Sequence, residues 1–332
     1  MAERNKKFLS VRDLTVEYTS DGQIIHAVNG VSFDLEKGET LGLVGETGAG
    51  KTTVAKSILR ILPNPPARVR GGEIFFEGRN LMQLAETEMR HIRGSKISMV
   101  FQDPMTALNP VMRIGDQIAE VVCVHDPGMS KRDAARKATE MLELVGIPGD
   151  RYGEYPHQFS GGMKQRVVIA IALACSPDLL LADEPTTALD VTIQAQVLEL
   201  ISELKEKQNT SMILITHDLG VVAETCDKVA VMYAGEVIEY GDLEEIFDHA
   251  SHPYTLGLFG ALPDMARGAK RLSPIAGMPP DPSNLPQGCK FSPRCPYAAE
   301  SCKQGEIPMQ DLGGTHQCRC IRCDAVAVKK GV

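Results

Sequence analysis

The sequence has 332 residues, 43% of them hydrophobic and 23% charged, enough to bury a sizeable core in one large domain with an appendage or in two domains. A formal net charge of -8 and a sequence pI near 5.6 exclude the broad basic surface that neutralises nucleic-acid phosphates or anionic lipid heads, so no nucleic acid is expected and any membrane attachment runs through a partner protein. The longest apolar run, Val167 to Cys175, falls short of the roughly eighteen residues a spanning helix needs, and Met1 to Leu9 lacks the apolar core of a secretory signal, so the expected compartment is the cytoplasm. A reducing compartment disfavours a disulfide framework for the nine cysteines, yet six of them fall in the last 44 residues, and that asymmetry asks for its own explanation.

In chain order, Leu9 to Val16 and Ile24 to Leu35 alternate apolar and polar residues around Ser20-Asp21-Gly22, which predicts an opening antiparallel pair. Leu41-Gly42-Leu43-Val44 predicts a short buried strand, then a glycine-rich turn and a helix from Thr52 to Leu62 that stops at Pro63. Ile97 to Phe101, Leu179 to Ala182 and Met212 to Thr216 have the length and flanks of buried parallel strands. In open α/β sheets ligands gather beyond the carboxyl ends of such strands, which directs attention to the polar residues that follow them. Met112 to Val145 turns helical, with Ser130-Lys131-Arg132-Asp133 opening a helix toward Leu144, as an inserted helical subdomain would. From Leu262 to Gly288 prolines and glycines accumulate, and this extended connector leads into the cysteine-rich tail.

Gly45-Glu46-Thr47-Gly48-Ala49-Gly50-Lys51-Thr52 matches the phosphate-binding loop pattern in full, between a predicted strand and a predicted helix. Its glycines allow successive backbone N–H groups to turn toward phosphates, and the helix start adds its positive dipole end. Lys51 is then the contact to the β- and γ-phosphates, and Thr52 offers a hydroxyl to magnesium. Leu179 to Ala182 runs into Asp183 and Glu184, an apolar strand ending in two acids: Asp183 is the candidate magnesium residue, and Glu184 the candidate general base for the attacking water.

Phe159-Ser160-Gly161-Gly162-Met163 resembles the signature of ABC (ATP-binding cassette) ATPases, usually Leu-Ser-Gly-Gly-Gln, with departures at Phe159 and Met163. Ser160 can cap the following helix, whose first N–H groups can hold a γ-phosphate. The resemblance extends from about Phe8 to Asp248, with the motifs in the family's order. It implies an α/β fold: an ABC-type nucleotide-hydrolase core with an N-terminal antiparallel β subdomain, a helical subdomain over about 108–165 and a C-terminal extension over 249–332. Further roles follow from it: Gln102 senses magnesium and the membrane partner, Asp190 of Ala188-Leu189-Asp190 crosses to the opposite subunit, His217 contacts the γ-phosphate, Tyr18 stacks on adenine, and Thr53 lies against the nucleotide. Family members pair head to tail, each ATP lying between one chain's phosphate loop and the other's Ser160-like signature. The expected partners are therefore a second ATPase chain, either a copy or a paralogue, two transmembrane permease subunits and an external solute-binding protein. An ABC ATPase acting on nucleic acid, an exporter subunit and an inactive binding module are the rival readings.

His252-Pro253-Tyr254-Thr255-Leu256 and the stretch Gly288 to Arg294 resemble the C-terminal extension of oligopeptide and dipeptide importer ATPases, peripheral proteins of the cytoplasmic face of the inner membrane. Related importers carry nickel or other solutes, which leaves the cargo open. Cys289, Cys295 and Cys302 are separated by five and six residues, Cys318 follows after fifteen more, and four thiolates can complete a tetrahedral or cubane metal site. The resemblance implies a 4Fe-4S cluster on Cys289, Cys295, Cys302 and Cys318. Zinc and metal-free thiols are the alternatives, and Cys320 and Cys323 compete for the fourth position.

Overall fold

The computed structural model describes residues 7–20, 22–186, 191–260 and 275–323. In chain order its elements are β1 (Leu9–Ser20), β2 (Gln23–Leu35), β3 (Thr40–Val44), α1 (Lys51–Ile58), β4 (Ala67–Phe76), β5 (Arg79–Asn80), α2 (Glu86–Ile92), β6 (Ile97–Val100), α3 (Pro104–Ala107), α4 (Ile114–His125), α5 (Lys131–Leu144) and α6 (Gly161–Leu173). There follow β7 (Leu179–Asp183), α7 (Val191–Gln208), β8 (Ser211–Thr216), α8 (Leu219–Thr225), β9 (Lys228–Tyr233), β10 (Glu236–Asp242), α9 (Leu243–His249), α10 (Pro253–Gly260), β11 (Gln310–Gly313) and β12 (His316–Cys318). Contacts divide the chain into one unit of residues 1–82 and 216–332 and another of residues 83–215. No helix among the described residues is long and apolar enough to cross a membrane.

The first unit opens with the expected antiparallel pair. β1 and β2 run in register from Leu9 opposite Leu35 to Ser20 opposite Gln23, with bulges on the way, and β4 pairs on the other side of β1. The apolar residues of the alternation, Leu9, Val11, Leu14 and Val16 on one strand and Val28, Val31 and Leu35 on the other, are fully buried. A second set of strands in this unit runs in the order β11, β12, β10, β9, β3, antiparallel except for the parallel pairing of β3 with β9. The predicted helix after the phosphate loop ends earlier than the apolar pattern suggests. Arg60 adopts φ 52, a left-handed conformation no helix continues through, while its guanidinium donates to the Leu81 carbonyl at 3.0 Å. Tertiary contact overrides the local pattern there.

In the second unit β6, β7 and β8 are parallel neighbours, Ile97 opposite Leu179 and Leu179 opposite Ser211, and every residue of the three is buried. Burial on both faces explains their continuous apolar composition. α5 is amphipathic: Ala134, Ala138, Met141 and Leu142 are buried, at the i, i+4, i+7 and i+8 spacing of one helix face. Ser130 caps this helix as expected, its hydroxyl accepting from the Asp133 N–H at 3.1 Å. α6 buries residues on nearly every side, from Gln165 to Leu173, as a core helix does.

Candidate nucleotide site and cysteine cavity

The phosphate loop leaves β3 and enters α1 within the first unit. Gly45 (φ 148) and Gly50 (φ 98) occupy backbone conformations that L side chains rarely adopt, and each sits against carbonyl oxygen. A Cβ on Gly45 would lie 2.2 Å from the Met232 oxygen, and one on Gly50 2.3 Å from the Ala27 oxygen. Lys51 is 6% exposed, and its ammonium donates to the carbonyls of Gly45 at 2.7 Å and Glu46 at 3.0 Å, closing the loop around its own lysine. Thr47 and Gly48 are exposed at the loop's tip, Ala49 is buried, and Thr52 is half-buried at the start of α1. Tyr18, half-buried in β1, lies with its hydroxyl 3.3 Å from that of Thr53, which brings the expected adenine-stacking ring to the helix that follows the loop. His217 is exposed, next to Asp218, whose carboxylate caps α8 through the N–H groups of Gly220 and Val221.

The second unit holds the two acids and the signature. Asp183 is 2% exposed at the end of β7. Glu184 follows at φ 45, with its N–H donating to the Ile215 carbonyl at 2.8 Å. A non-glycine residue held in that conformation is strained, and such strain collects at functional positions. The Gln102 amide donates to the Glu184 carboxylate at 2.9 Å, so the candidate magnesium-sensing glutamine and the candidate general base are joined directly. Ser160 caps α6 and accepts from the Met163 N–H at 3.4 Å, with Gly161 exposed behind it. The two departures from the usual signature share one partner. The Arg151 guanidinium lies 4.3 Å from the Phe159 ring centre and donates to the Met163 sulfur at 3.3 Å, and Glu154 holds it in turn. Arg151 escaped the sequence reading because nothing in its local pattern sets it apart from an ordinary surface arginine. Asp190, with Ala188 and Leu189, lies outside the described residues.

The tail brings its cysteines together. Cys289, Cys295, Cys302 and Cys320 line one cavity with His252, Phe291 and Ile307, whereas Cys318 is buried beside Cys320 and Cys323 and is not among the lining residues. Cys320, one of the two alternatives for the fourth position, thus lines the same wall as Cys289, Cys295 and Cys302. Cys318 lies in β12, opposite Glu239 of β10, with a thiol contact to Cys323. Burial pushes the Cys289 thiol up to about 11, and a hydrogen bond to Cys318 followed by burial carries Cys323 to about 12. Among the described residues no three His, Cys, Asp or Glu side chains close around a point as ligands of a single ion would. His252, which also lines the cavity, is fully buried; its Nδ1 accepts from the Tyr254 N–H at 3.1 Å, and its Nε2 has no hydrogen-bond partner. Burial pushes this imidazole down to about 4, so it stays neutral, with its proton on the unpartnered nitrogen.

The ABC transporter family model matches residues 28–187, and that of the oligopeptide/dipeptide transporter C-terminal region matches residues 238–302. The oligopeptide transport ATP-binding protein OppD of Bacillus subtilis is 51% identical over 94% of this chain and 88% of its own length. The dipeptide transport ATP-binding protein DppD of the same organism is 54% identical over 90% of this chain and 89% of its own. Among solved structures, the dimeric ATP-binding cassette MJ0796 in a post-hydrolysis state with ADP and Pi matches at a TM-score of 0.64 and 28% identity, covering 71% of this chain and 98% of that one. The fold and its loops thus define an ABC-type ATPase, with ATP as its nucleotide. Within that class, the chain belongs to the family of oligopeptide/dipeptide transport ATP-binding proteins.

The crowding at Gly50 gives a direct test. Gly50→Ala adds a clash with the Ala27 carbonyl to a left-handed residue that costs roughly 1–2 kcal/mol by itself, whereas Gly48→Ala meets only open space within 4 Å and carries only the conformational cost. The expected result in thermal denaturation is a lower midpoint for Gly50→Ala than for Gly48→Ala, with calorimetric uptake of MgATP abolished in the former.

Proposed function

We propose that this chain is the ATP-hydrolysing motor of an importer for di- or oligopeptides. It works peripherally at the cytoplasmic face of the inner membrane and moves two separate permease subunits supplied by an external solute-binding protein. Residues 1–248 would form the cassette, with the helical subdomain at about 108–165 meeting the permeases, and residues 249–332 the extension. The hydrogen bond between Gln102 and Glu184 carries the catalytic reading. A carboxylate held by an amide at the end of a strand can orient water for in-line attack and accept its proton. Asp183 and Thr52 would hold magnesium, Lys51 and the loop amides from Gly45 to Thr53 the phosphates, Tyr18 the adenine and His217 the γ-phosphate. Ser160, Gly161 and Gly162 would present the N-terminus of α6 to the nucleotide of a second ATPase chain, a copy or a paralogue, with Asp190 crossing the same interface. Hydrolysis then separates the pair and resets the permeases.

For the tail we infer a 4Fe-4S cluster held by Cys289, Cys295, Cys302 and Cys320. When bound, the cluster would pin the stretch from Cys289 to Cys302 to Cys320 and offer a one-electron couple. The chain's own contribution is to exclude water with Phe291 and Ile307 and to give up the thiol protons, so loading is expected to release protons and to be favoured at higher pH.

Two measurements test these assignments. Glu184→Gln is expected to lower turnover by about two to four orders of magnitude while ATP binding and dimerisation persist; hydrolysis at the wild-type rate would remove Glu184 as the base. Anaerobically purified protein should carry iron and acid-labile sulfide in equal amounts, and Cys320→Ser should lose both while Cys318→Ser keeps them. Zinc alone in the wild type would exclude the cluster, and the opposite pattern of variants would return Cys318 to the fourth position.

A further inference from the structure

The phosphate loop is fastened to the extension at one residue, Glu46. Three of its polar groups are engaged: its carbonyl accepts from Lys51, its N–H donates to the Tyr254 hydroxyl at 2.9 Å, and its carboxylate receives both terminal nitrogens of Arg294, at 2.8 and 3.1 Å. Tyr254 and Arg294 lie 208 and 248 residues farther along the chain, and both belong to the extension.

Arg294 is built for this task. Its side chain is 6% exposed, and the donors left over from the carboxylate go to the Tyr233 hydroxyl at 3.2 Å and the carbonyls of Ala276 at 3.1 Å and Ile275 at 3.5 Å. All five guanidinium donors therefore have acceptors. The rings of Tyr233, Tyr254 and Phe291 pack against one another with centres 4.6 to 5.4 Å apart, and two of them flank the guanidinium. The planar fork matches a carboxylate edge to edge, which a lysine cannot do. The next residue, Cys295, lines the cysteine cavity.

From this geometry we infer that Arg294 is a positioning residue for ATP binding: through the Glu46 carboxylate it fixes the second residue of the phosphate loop, so the loop's readiness for nucleotide depends on the folded extension. A loop of mostly glycine and small residues loses much conformational freedom when it closes on phosphates, and a loop already held at its entry loses less. Neither residue needs to touch the nucleotide through its side chain for this to act.

The test is calorimetric titration of the full-length chain with MgADP and MgATP. Arg294→Gln is expected to weaken both by about tenfold, within the range by which residues one step removed from a ligand alter its affinity. Arg294→Lys should recover only part of the loss. Because Arg294→Gln can also disturb the tail, Glu46→Gln removes the same ion pair from the loop side and should give a similar loss. The double variant should bind no worse than either single one. Lys303→Gln, which removes an exposed tail charge paired with Glu300, should bind as the wild type does. Wild-type affinity in Glu46→Gln, or losses that add in the double variant, would overturn the inference.

Discussion

A phosphate-binding loop is made almost wholly of backbone, and backbone alone does not hold a shape. What fixes this one is the set of contacts around Gly45 to Lys51. The Lys51 ammonium bonds the Gly45 and Glu46 carbonyls, two glycines press against the oxygens of Met232 and Ala27, and the Glu46 carboxylate lies in the fork of Arg294. An ammonium at 6% exposure is tolerable only among acceptors, and the carbonyls that satisfy it belong to the loop it serves. A charge that must be neutralised thus becomes the device that curls the loop.

The same economy runs through the second unit. Three parallel strands buried on both faces deliver Asp183 and Glu184 at the end of β7, where the backbone is forced to φ 45 and Gln102 meets the carboxylate. The signature departs from its usual form at two positions, and Arg151 ties both replacements together, stacking on Phe159 and bonding the Met163 sulfur. An altered pair at such a place can be read as one exchange supported by a third residue, leaving the Ser160 cap as it was.

The features legible in the sequence are the local ones. The strand pair before Leu35, the capped helix after Ser130, the loop and the two acids each follow from spacing within about ten residues, and each stands where the pattern puts it. Features set by distant contact were not legible. α1 ends early because Arg60 turns to the Leu81 carbonyl, and the Glu46 to Arg294 ion pair joins residues 248 positions apart, which no local pattern links. The surroundings of Cys318 and Cys320 belong here as well, since β12 pairs Cys318 with Glu239 of β10 while Cys320 lines the cavity, and neither follows from local spacing. The motifs name the chemistry, while the contacts that tune it are long-range.

The central claim, that backbone amides and one buried lysine at the end of β3 grip the triphosphate, is reached most directly by calorimetric titration of the purified chain and its Lys51→Ala variant with MgATP. The account predicts saturable uptake by the wild type and none measurable by the variant. Equal uptake by the two proteins would contradict it.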